Sequence, residues 1–218
     1  DHTGGNWGAG ISMADFNGDG LDDLSFAHHG GVLKFFEGNG TGFTELILNM
    51  PVYLNEAKGI LWADIDNDGD QDLFVTYRLA SNRLYRNDGE MMLVDISDIC
   101  GIAQTNQRSY GASFGDYDKD GLLDLFVANY VLGQDYPHNE LYHNLGGGLF
   151  EDVTLDTPMG EVVDNSFQGQ WVDFNEDDNL DLHLIQDRLC FENRFYEQVD
   201  DVFTEVANER GLDYAINC

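Results

Sequence analysis

Basic residues are scarce in this chain of 218 residues, where 10 Lys and Arg stand against 41 Asp and Glu and the formal net charge is -31. Nucleic-acid phosphates and anionic membrane surfaces repel a surface of this charge. We therefore expect no nucleic-acid partner, and cations are the natural counterparts of so many carboxylates.

Long apolar runs and targeting signals are also missing. No run reaches the 18 uninterrupted apolar residues typical of a transmembrane helix, so we expect no membrane insertion. The chain starts DHTGGNWG, which has neither the basic start nor the apolar stretch of a signal peptide. Because it does not start with Met, we expect a processed or excerpted chain. With 42% hydrophobic residues it can nevertheless bury a substantial core.

An acidic pattern is present four times, at intervals of about 50 residues. The copies are DFNGDGLDDL from Asp15, DIDNDGDQDL from Asp64, DYDKDGLLDL from Asp116 and DFNEDDNLDL from Asp173. Each has Asp at positions 1, 5 and 9, Asp or Asn at position 3, and Leu at position 10. Four copies in phase indicate a repeat protein rather than chance turns.

Short apolar, β-forming segments lie on both sides of each acidic loop, and two more follow in each unit, such as NRLYRNDG and MMLVDIS in the second. Four short antiparallel strands in a unit of about 50 residues are typical of a β-propeller blade. We predict an all-β fold, one β-propeller domain or segment with four repeats at approximately 1–50, 51–101, 102–157 and 158–218. A closed four-bladed ring and an arc of a larger propeller both remain open.

The acidic loops offer only oxygen ligands, at positions 1, 3, 5, 7 and 9, and this spacing suits Ca²⁺ rather than Zn²⁺. An EF-hand loop would need a bidentate Glu at position 12. Position 12 is apolar in all four copies: Phe26, Val75, Val127 and Leu184. The sequence therefore excludes the EF-hand interpretation.

The D-x-D-x-D-G-x-x-D loop in a hairpin, together with NELYHN, GASFGDYDKDGLLDLFVANY and LFEDVT, resembles the FG-GAP or VCBS-type repeats of integrin α-subunit propellers. It looks closest to the cartilage acidic protein-like and bacterial members of that group. The resemblance implies up to four Ca²⁺ ions, each between the first two strands of a blade, in a protein that is secreted or on the cell surface. The implied side-chain ligands are Asp15, Asn17, Asp19 and Asp23; Asp64, Asp66, Asp68 and Asp72; Asp116, Asp118, Asp120 and Asp124; and Asp173, Asn175, Asp177 and Asp181. The implied backbone carbonyls are those of Leu21, Asp70, Leu122 and Asn179.

The four sites are not equivalent. Asp178 replaces the position 6 Gly in the fourth copy, where the turn favours φ > 0, so we expect a strained loop there. Loops two and three have four carboxylates each, and we expect them to bind Ca²⁺ more tightly than loops one and four, which have three and an Asn.

Length variation concentrates on the face opposite the acidic loops, in Leu132 to Asn139 and Asp156 to Gln168. We hypothesise that Tyr136, His138, Met159 and Glu161 contact a protein or glycan ligand there. Cys190 and Cys218 are also expected near this face, where they could form a disulfide and leave Cys100 free or paired between chains.

The resemblance implies an extracellular, non-catalytic module for adhesion or ligand binding. The alternative is a structural subunit that assembles with copies of itself in a calcium-stabilised structure. No catalytic motif is present, so we expect no enzyme, and a polysaccharide-active enzyme is a less favoured alternative.

Overall fold

The computed structural model describes residues 9–30, 32–130, 137–161, 163, 165–186 and 192–213. Within these described residues, sixteen strands form four antiparallel sheets, which we call blades one to four. Their bounds are Ile11–Ala14 (β1), Asp23–Phe26 (β2), Lys34–Gly38 (β3) and Phe43–Leu46 (β4); Glu56–Ala63 (β5), Asp72–Arg78 (β6), Arg83–Asn87 (β7) and Leu93–Asp95 (β8); Ser109–Gly115 (β9), Asp124–Asn129 (β10), Glu140–Gly146 (β11) and Leu149–Asp152 (β12); and Ser166–Val172 (β13), Asp181–Gln186 (β14), Arg194–Val199 (β15) and Val202–Glu205 (β16).

Each blade is a meander in which every strand pairs with the next one along the chain. In blade two, for example, Trp62 pairs with Leu73 and Leu73 with Tyr85. The helices described are short: two 3-10 helices, Thr154–Asp156 and Pro158–Glu161, and an α-helix at Ala207–Arg210 (α1). The prediction of an all-β fold built from four-stranded antiparallel blades is confirmed. None of the described helices has the length and apolar character needed to cross a bilayer.

The blades stack through their first strands, with β1 against β5, β5 against β9 and β9 against β13. Glycine allows the closest of these approaches, because a Cβ on Gly115 would lie 2.6 Å from the ring of Trp171. The stack does not close: among the described residues β13 does not return to β1 as a fourth interface of this kind. The structure is therefore an open arc of four blades.

The apolar core lies between neighbouring blades and repeats along the arc. The ring of Phe16, at position 2 of the first acidic loop, stacks on Trp62 of blade two with 4.8 Å between centroids. Tyr117, at position 2 of the third loop, stacks on Trp171 of blade four. In both pairs, the large apolar residue two places before a loop packs against the preceding blade.

The two ends of the arc lack this partner. Met13, which corresponds to Trp62, is 62% exposed, and Phe174, which corresponds to Phe16, is 45% exposed. Both ends consequently present apolar side chains to solvent.

Candidate metal centres

Each acidic loop joins the first and second strands of its blade, so all four lie on one edge of the arc. We call them loops one to four: 15–23, 64–72, 116–124 and 173–181. All four adopt one conformation, with positive φ at positions 4 and 6. The position 6 residues are Gly20, Gly69, Gly121 and Asp178, and the position 4 residues are Gly18, Asn67, Lys119 and Glu176. The left-handed backbone of Asp178, at φ 66°, agrees with the sequence expectation; the second left-handed position was not foreseen.

The first aspartate of each loop holds the turn together. In loop two, Asp64 Oδ1 accepts a hydrogen bond from the Asp68 N–H at 3.2 Å, and Oδ2 accepts one from the Gly69 N–H at 3.0 Å. The position 6 N–H bonds the first aspartate in the same way in the other loops. Position 1 is therefore both an acceptor for the turn and a candidate ligand.

The aspartate at position 9 is buried in every loop and joins three parts of its blade. Asp72, which is 1% exposed, accepts from the Ile65 N–H at 2.9 Å and from the Asn87 N–H of β7 at 2.7 Å. Asp23, Asp124 and Asp181 accept the equivalent pairs. This connection between loop and third strand was missed, because the donor lies 15 residues further along the chain from Asp72.

Carboxylates converge in loops two and three. Within each group, one ligand oxygen per residue lies within 4.8 Å of the others, and the groups are Asp64, Asp66 and Asp72, and Asp116, Asp118 and Asp124. Asp66 Oδ1 and Asp116 Oδ1 are buried atoms that accept no hydrogen bond. A buried carboxylate oxygen without a donor is costly, and a cation placed among three of them would satisfy it.

Burial and neighbouring carboxylates raise the pKa values of the position 9 aspartates in loops two and three. Burial raises the pKa of Asp72 to about 7, and the nearby carboxylates of Asp66 and Asp68 raise it further against the hydrogen bonds that lower it. Burial likewise raises the pKa of Asp124 to about 6. Carboxylates gathered in this way favour proton uptake unless a cation stabilises their charged forms.

The position 5 aspartates are placed differently, although Asp120 also forms a group with Asp118 and His143 in which one ligand atom per residue lies within 4.8 Å of the others. The position 5 carboxylates of Asp19, Asp68 and Asp120 each accept a hydrogen bond from the backbone N–H at position 7 of their own loop, as Asp177 does in loop four. They are therefore at the loop but engaged with backbone, and the position 7 carbonyls stay a prediction.

Loops one and four have an Asn at position 3, and in each a glutamate from the third strand lies beside it. Asn17 Nδ2 donates to Glu37 at 3.2 Å, and Asn175 Nδ2 donates to Glu197 at 3.2 Å. In loops two and three the third-strand residue is instead Arg86 or His143. The glutamates thus restore an acidic group where the loop itself lacks one, although Glu197 is also paired with Arg210 at 2.6 Å.

Neighbouring loops are bridged by their position 4 side chains. Asn67 Nδ2 donates to the Gly121 carbonyl at 2.8 Å, and Lys119 Nζ donates to Asn179 Oδ1 at 2.7 Å. Loops two, three and four therefore form a continuous acidic edge.

Two of the predicted ligand contacts, His138 and Glu161, lie on the edge opposite the acidic loops. His138 is half-buried, and its carbonyl accepts from Asn129 Nδ2 at 2.7 Å. Glu161 is exposed, whereas Met159 is 0% exposed in the core of blades three and four. The assignment of Met159 as a surface contact is wrong, because its 3-10 helix turns the side chain into that core. Tyr136, Cys190 and Cys218 lie outside the described residues, and Cys100 is a buried free thiol.

Comparison with known proteins places these loops in a family. The FG-GAP-like repeat model matches residues 15–75 and 64–127, which together take in just over half of the chain. Cartilage acidic protein 1 of Homo sapiens is 27% identical over 137 residues, and the Xenopus tropicalis protein of that name is 28% identical over 136. Both alignments cover 56% of this chain but only 20% and 21% of the relatives. The chain thus spans about a fifth of the length of these relatives.

Proposed function

Because this chain belongs to the FG-GAP-like repeat family, we propose that it is an extracellular, calcium-binding β-propeller segment that acts as a non-catalytic module for adhesion or ligand binding. The observation that carries the calcium part is the convergence of three carboxylates in loops two and three around buried oxygens that accept no hydrogen bond. Only oxygen ligands are offered, which favours a hard cation such as Ca²⁺. The common conformation of all four loops supports a like role for each.

Calcium is expected to act as a structural cofactor. An ion that binds only the folded state stabilises it by about 2.7 kcal/mol per site at 100 times its dissociation constant. We expect excess EGTA to lower the melting temperature strongly, and added Ca²⁺ to restore it. A melting temperature that does not change with chelator contradicts the proposal.

Matched variants separate ion binding from folding. Asp66→Asn removes one of the converging charges and should weaken the loop-two site in isothermal titration. Asp156→Asn is the control, because this exposed aspartate lies in the 3-10 helix Thr154–Asp156, away from the acidic loops. Equal calcium binding by the two variants would remove Asp66 from the site.

The binding role is supported by the relatives and by the edge opposite the acidic loops. The relatives are named for cartilage and for acidity, and this chain shares the acidity. On that edge, Glu161 is exposed and His138 half-buried on loops held by rigid blades, an arrangement that suits recognition. We expect a double variant, His138→Ala with Glu161→Ala, to lose binding to any ligand found among immobilised matrix proteins and uncharged glycans. Unchanged binding would move the contact surface elsewhere.

The exposed ends of the arc favour one second candidate, a structural subunit. Met13 and Phe174 stand where internal blades have a stacked partner, so copies could join end to end. Sedimentation at increasing concentration, with Ca²⁺ and with EGTA, tests this. Chelator-sensitive assembly supports it, and a monomer under both conditions excludes it.

A further inference from the structure

A histidine of the third strand joins the carboxylates of loop three. His143 lies on β11 and forms a group with Asp118 and Asp120 in which one ligand atom per residue lies within 4.8 Å of the others. Asp118 also belongs to the group that it forms with Asp116 and Asp124. The loop itself offers only oxygen ligands, and the third strand brings a nitrogen to them.

The nitrogen that faces the loop is Nδ1 of His143. It lies 3.1 Å from Asp118 Oδ2 and 3.3 Å from Asp124 Oδ1. It is a buried atom, yet it makes no hydrogen bond to any described residue, because an N–H on it would not be aligned with either oxygen. A histidine held there by charge alone would turn its N–H toward one of the two carboxylates.

Two ligands of one metal ion lie at such distances from each other. Zn²⁺ holds imidazole nitrogen and carboxylate oxygen at about 2.0–2.2 Å, and with ligand angles of about 90–110° two atoms on the same ion are about 2.8–3.6 Å apart. The separations of Nδ1 from the two carboxylate oxygens both fall within this range. An ion could therefore contact the nitrogen and both oxygens together.

The position of the imidazole is fixed from two sides. The ring of Tyr117 meets it edge to face, with 6.4 Å between centroids, and Tyr117 itself stacks on Trp171 of blade four. Asn144, the next residue of β11, donates its N–H to Asp124 at 2.8 Å and so ties the strand to the loop. A ligand held in this way does not have to be ordered when an ion binds.

The corresponding residues of the other blades offer no nitrogen ligand. Arg86 of blade two corresponds to His143, and its Nε donates to Asp88 at 2.7 Å. A guanidinium has no lone pair to give to a metal ion. Glu37 and Glu197 stand at this position in blades one and four and offer only oxygen. Loop three thus differs from the others in the chemistry of its third-strand residue.

Calcium takes oxygen ligands, whereas imidazole nitrogen suits first-row transition-metal ions. We propose that loop three, whose role as a metal site rests on the proposed function, selects a divalent transition-metal ion over Ca²⁺. His143 Nδ1 is a ligand of this ion beside Asp118 and Asp124, and the other loops keep Ca²⁺.

Co²⁺ is the probe, because it is paramagnetic and shifts the proton resonances of a bound imidazole far outside their usual range. Isothermal titration into protein saturated with Ca²⁺ should show one Co²⁺ bound per chain. NMR in H₂O should show one strongly shifted imidazole N–H resonance that disappears in D₂O. No binding of Co²⁺ in excess Ca²⁺, or equal binding at several sites, overturns the proposed selection.

A variant of His143 tests the nitrogen ligand. His143→Gln has a side chain of similar size, and it should lower the affinity for Co²⁺ at least about 10-fold and remove the shifted resonance. Calcium binding should change much less, because Ca²⁺ does not depend on the nitrogen. His28→Gln is the control for metal binding by an exposed histidine and should leave the site unchanged.

The reverse change builds the same ligand into loop two. Arg86→His places an imidazole at the equivalent position and should add a second Co²⁺ and a second shifted resonance. Arg86→Gln is the control, because it removes the charge without supplying a nitrogen, and it should add neither.

Titration with Ca²⁺ alone separates this proposal from the proposed function. If Ca²⁺ binds but His143→Gln binds Co²⁺ as tightly as the wild type, or His28→Gln loses the shifted resonance, the role of His143 is wrong and the calcium sites stand. Absence of any calcium binding contradicts the proposed function instead.

Discussion

At the scale of the single residue, the aspartate at position 9 does two things at once. Asp72 is a candidate metal ligand, and it also accepts two backbone hydrogen bonds, from Ile65 and Asn87. Asp68 is likewise a candidate ligand, but its bond to the Asp70 N–H lies at the exposed surface. Both residues are aspartates of the repeated acidic pattern, but only Asp72 makes buried hydrogen bonds that connect the loop to the third strand.

This difference predicts how the two variants behave without calcium. In excess EGTA, Asp72→Ala leaves two buried N–H groups without acceptors and should lower the free energy of unfolding by roughly 2–5 kcal/mol. Asp68→Ala should cost much less under the same conditions. Denaturant unfolding measures both, and equal losses would contradict the connecting role of Asp72.

Glu140 predicts a pH dependence away from the metal loops. Burial raises its pKa to about 7 from 4.5, and Asp152 raises it further, while hydrogen bonds from Tyr142 and Gln107 lower it. The folded state therefore binds more protons than the unfolded state between these values. The contribution of Glu140 to the free energy of unfolding is therefore fully present below pH 4.5 and is lost as the pH rises through 7, by up to about 3 kcal/mol.

The variant Glu140→Gln mimics the protonated carboxyl and should remove this part of the pH dependence. With saturating Ca²⁺, the variant should unfold at higher denaturant than the wild type at pH 8, and the two should converge at pH 5. Glu161→Gln, at an exposed site, is the control and should follow the wild type at both pH values. If the stability of the wild type and that of the Glu140→Gln variant change equally between pH 5 and pH 8, Glu140 is not the source of the pH dependence.

At the scale of the element, the left-handed backbone of Asp178 in loop four should lower the free energy of unfolding. Asp178 holds φ 66° where the other three loops have Gly. Its N–H bonds Asp173 Oδ2 at 3.1 Å, a bond that glycine retains. We expect Asp178→Gly to stabilise the protein by about 0.5–1 kcal/mol and to tighten the fourth calcium site.

The reverse change is the matched control. Gly69→Asp places the same side chain at the same position of loop two, at φ 96°, and should destabilise by a similar or larger amount. Calorimetry in the presence of Ca²⁺ compares both with the wild type. A fall in stability on Asp178→Gly would show that the aspartate has a favourable contact of its own.

Loops and strands were predictable because their signals are local. The spacing of Asp64, Asp66 and Asp68, and the apolar strand after them, lie within one short stretch of sequence. The contacts that the sequence did not predict join residues far apart along the chain. Asn17 donates a hydrogen bond to Glu37 of the third strand, and Asn67 donates one to Gly121 of the next loop. The spacing of acidic residues in one loop cannot show which side chain the third strand or the next blade will bring to it.

At the scale of the whole molecule, the sequence could not predict that the four blades form an open arc. Four repeats suit a closed ring and an arc equally, and the difference rests on whether β13 approaches β1. The contacts between neighbouring blades follow from the repeated sequence pattern. Trp62, two residues ahead of loop two, stacks on Phe16, the position 2 residue of loop one. Met13 and Phe174 occupy the equivalent positions at the two ends of the arc, where no neighbouring blade covers them, and both are therefore exposed.

Close packing of blades three and four depends on Gly115. Its added Cβ would lie between 2.6 and 2.9 Å from three atoms of the Trp171 indole, so Gly115→Ala must displace that ring or part the two blades. We expect a loss of about 1–3 kcal/mol in the free energy of unfolding and a change in tryptophan fluorescence. Gly42→Ala is the control, because a Cβ there meets no atom within 4 Å. Since neither residue ligates an ion, the loss should persist in both Ca²⁺ and EGTA. A Gly115→Ala variant as stable as Gly42→Ala, with unchanged fluorescence, would show that the blade interface is loose enough to absorb a methyl group and that the arc is held chiefly by its loops.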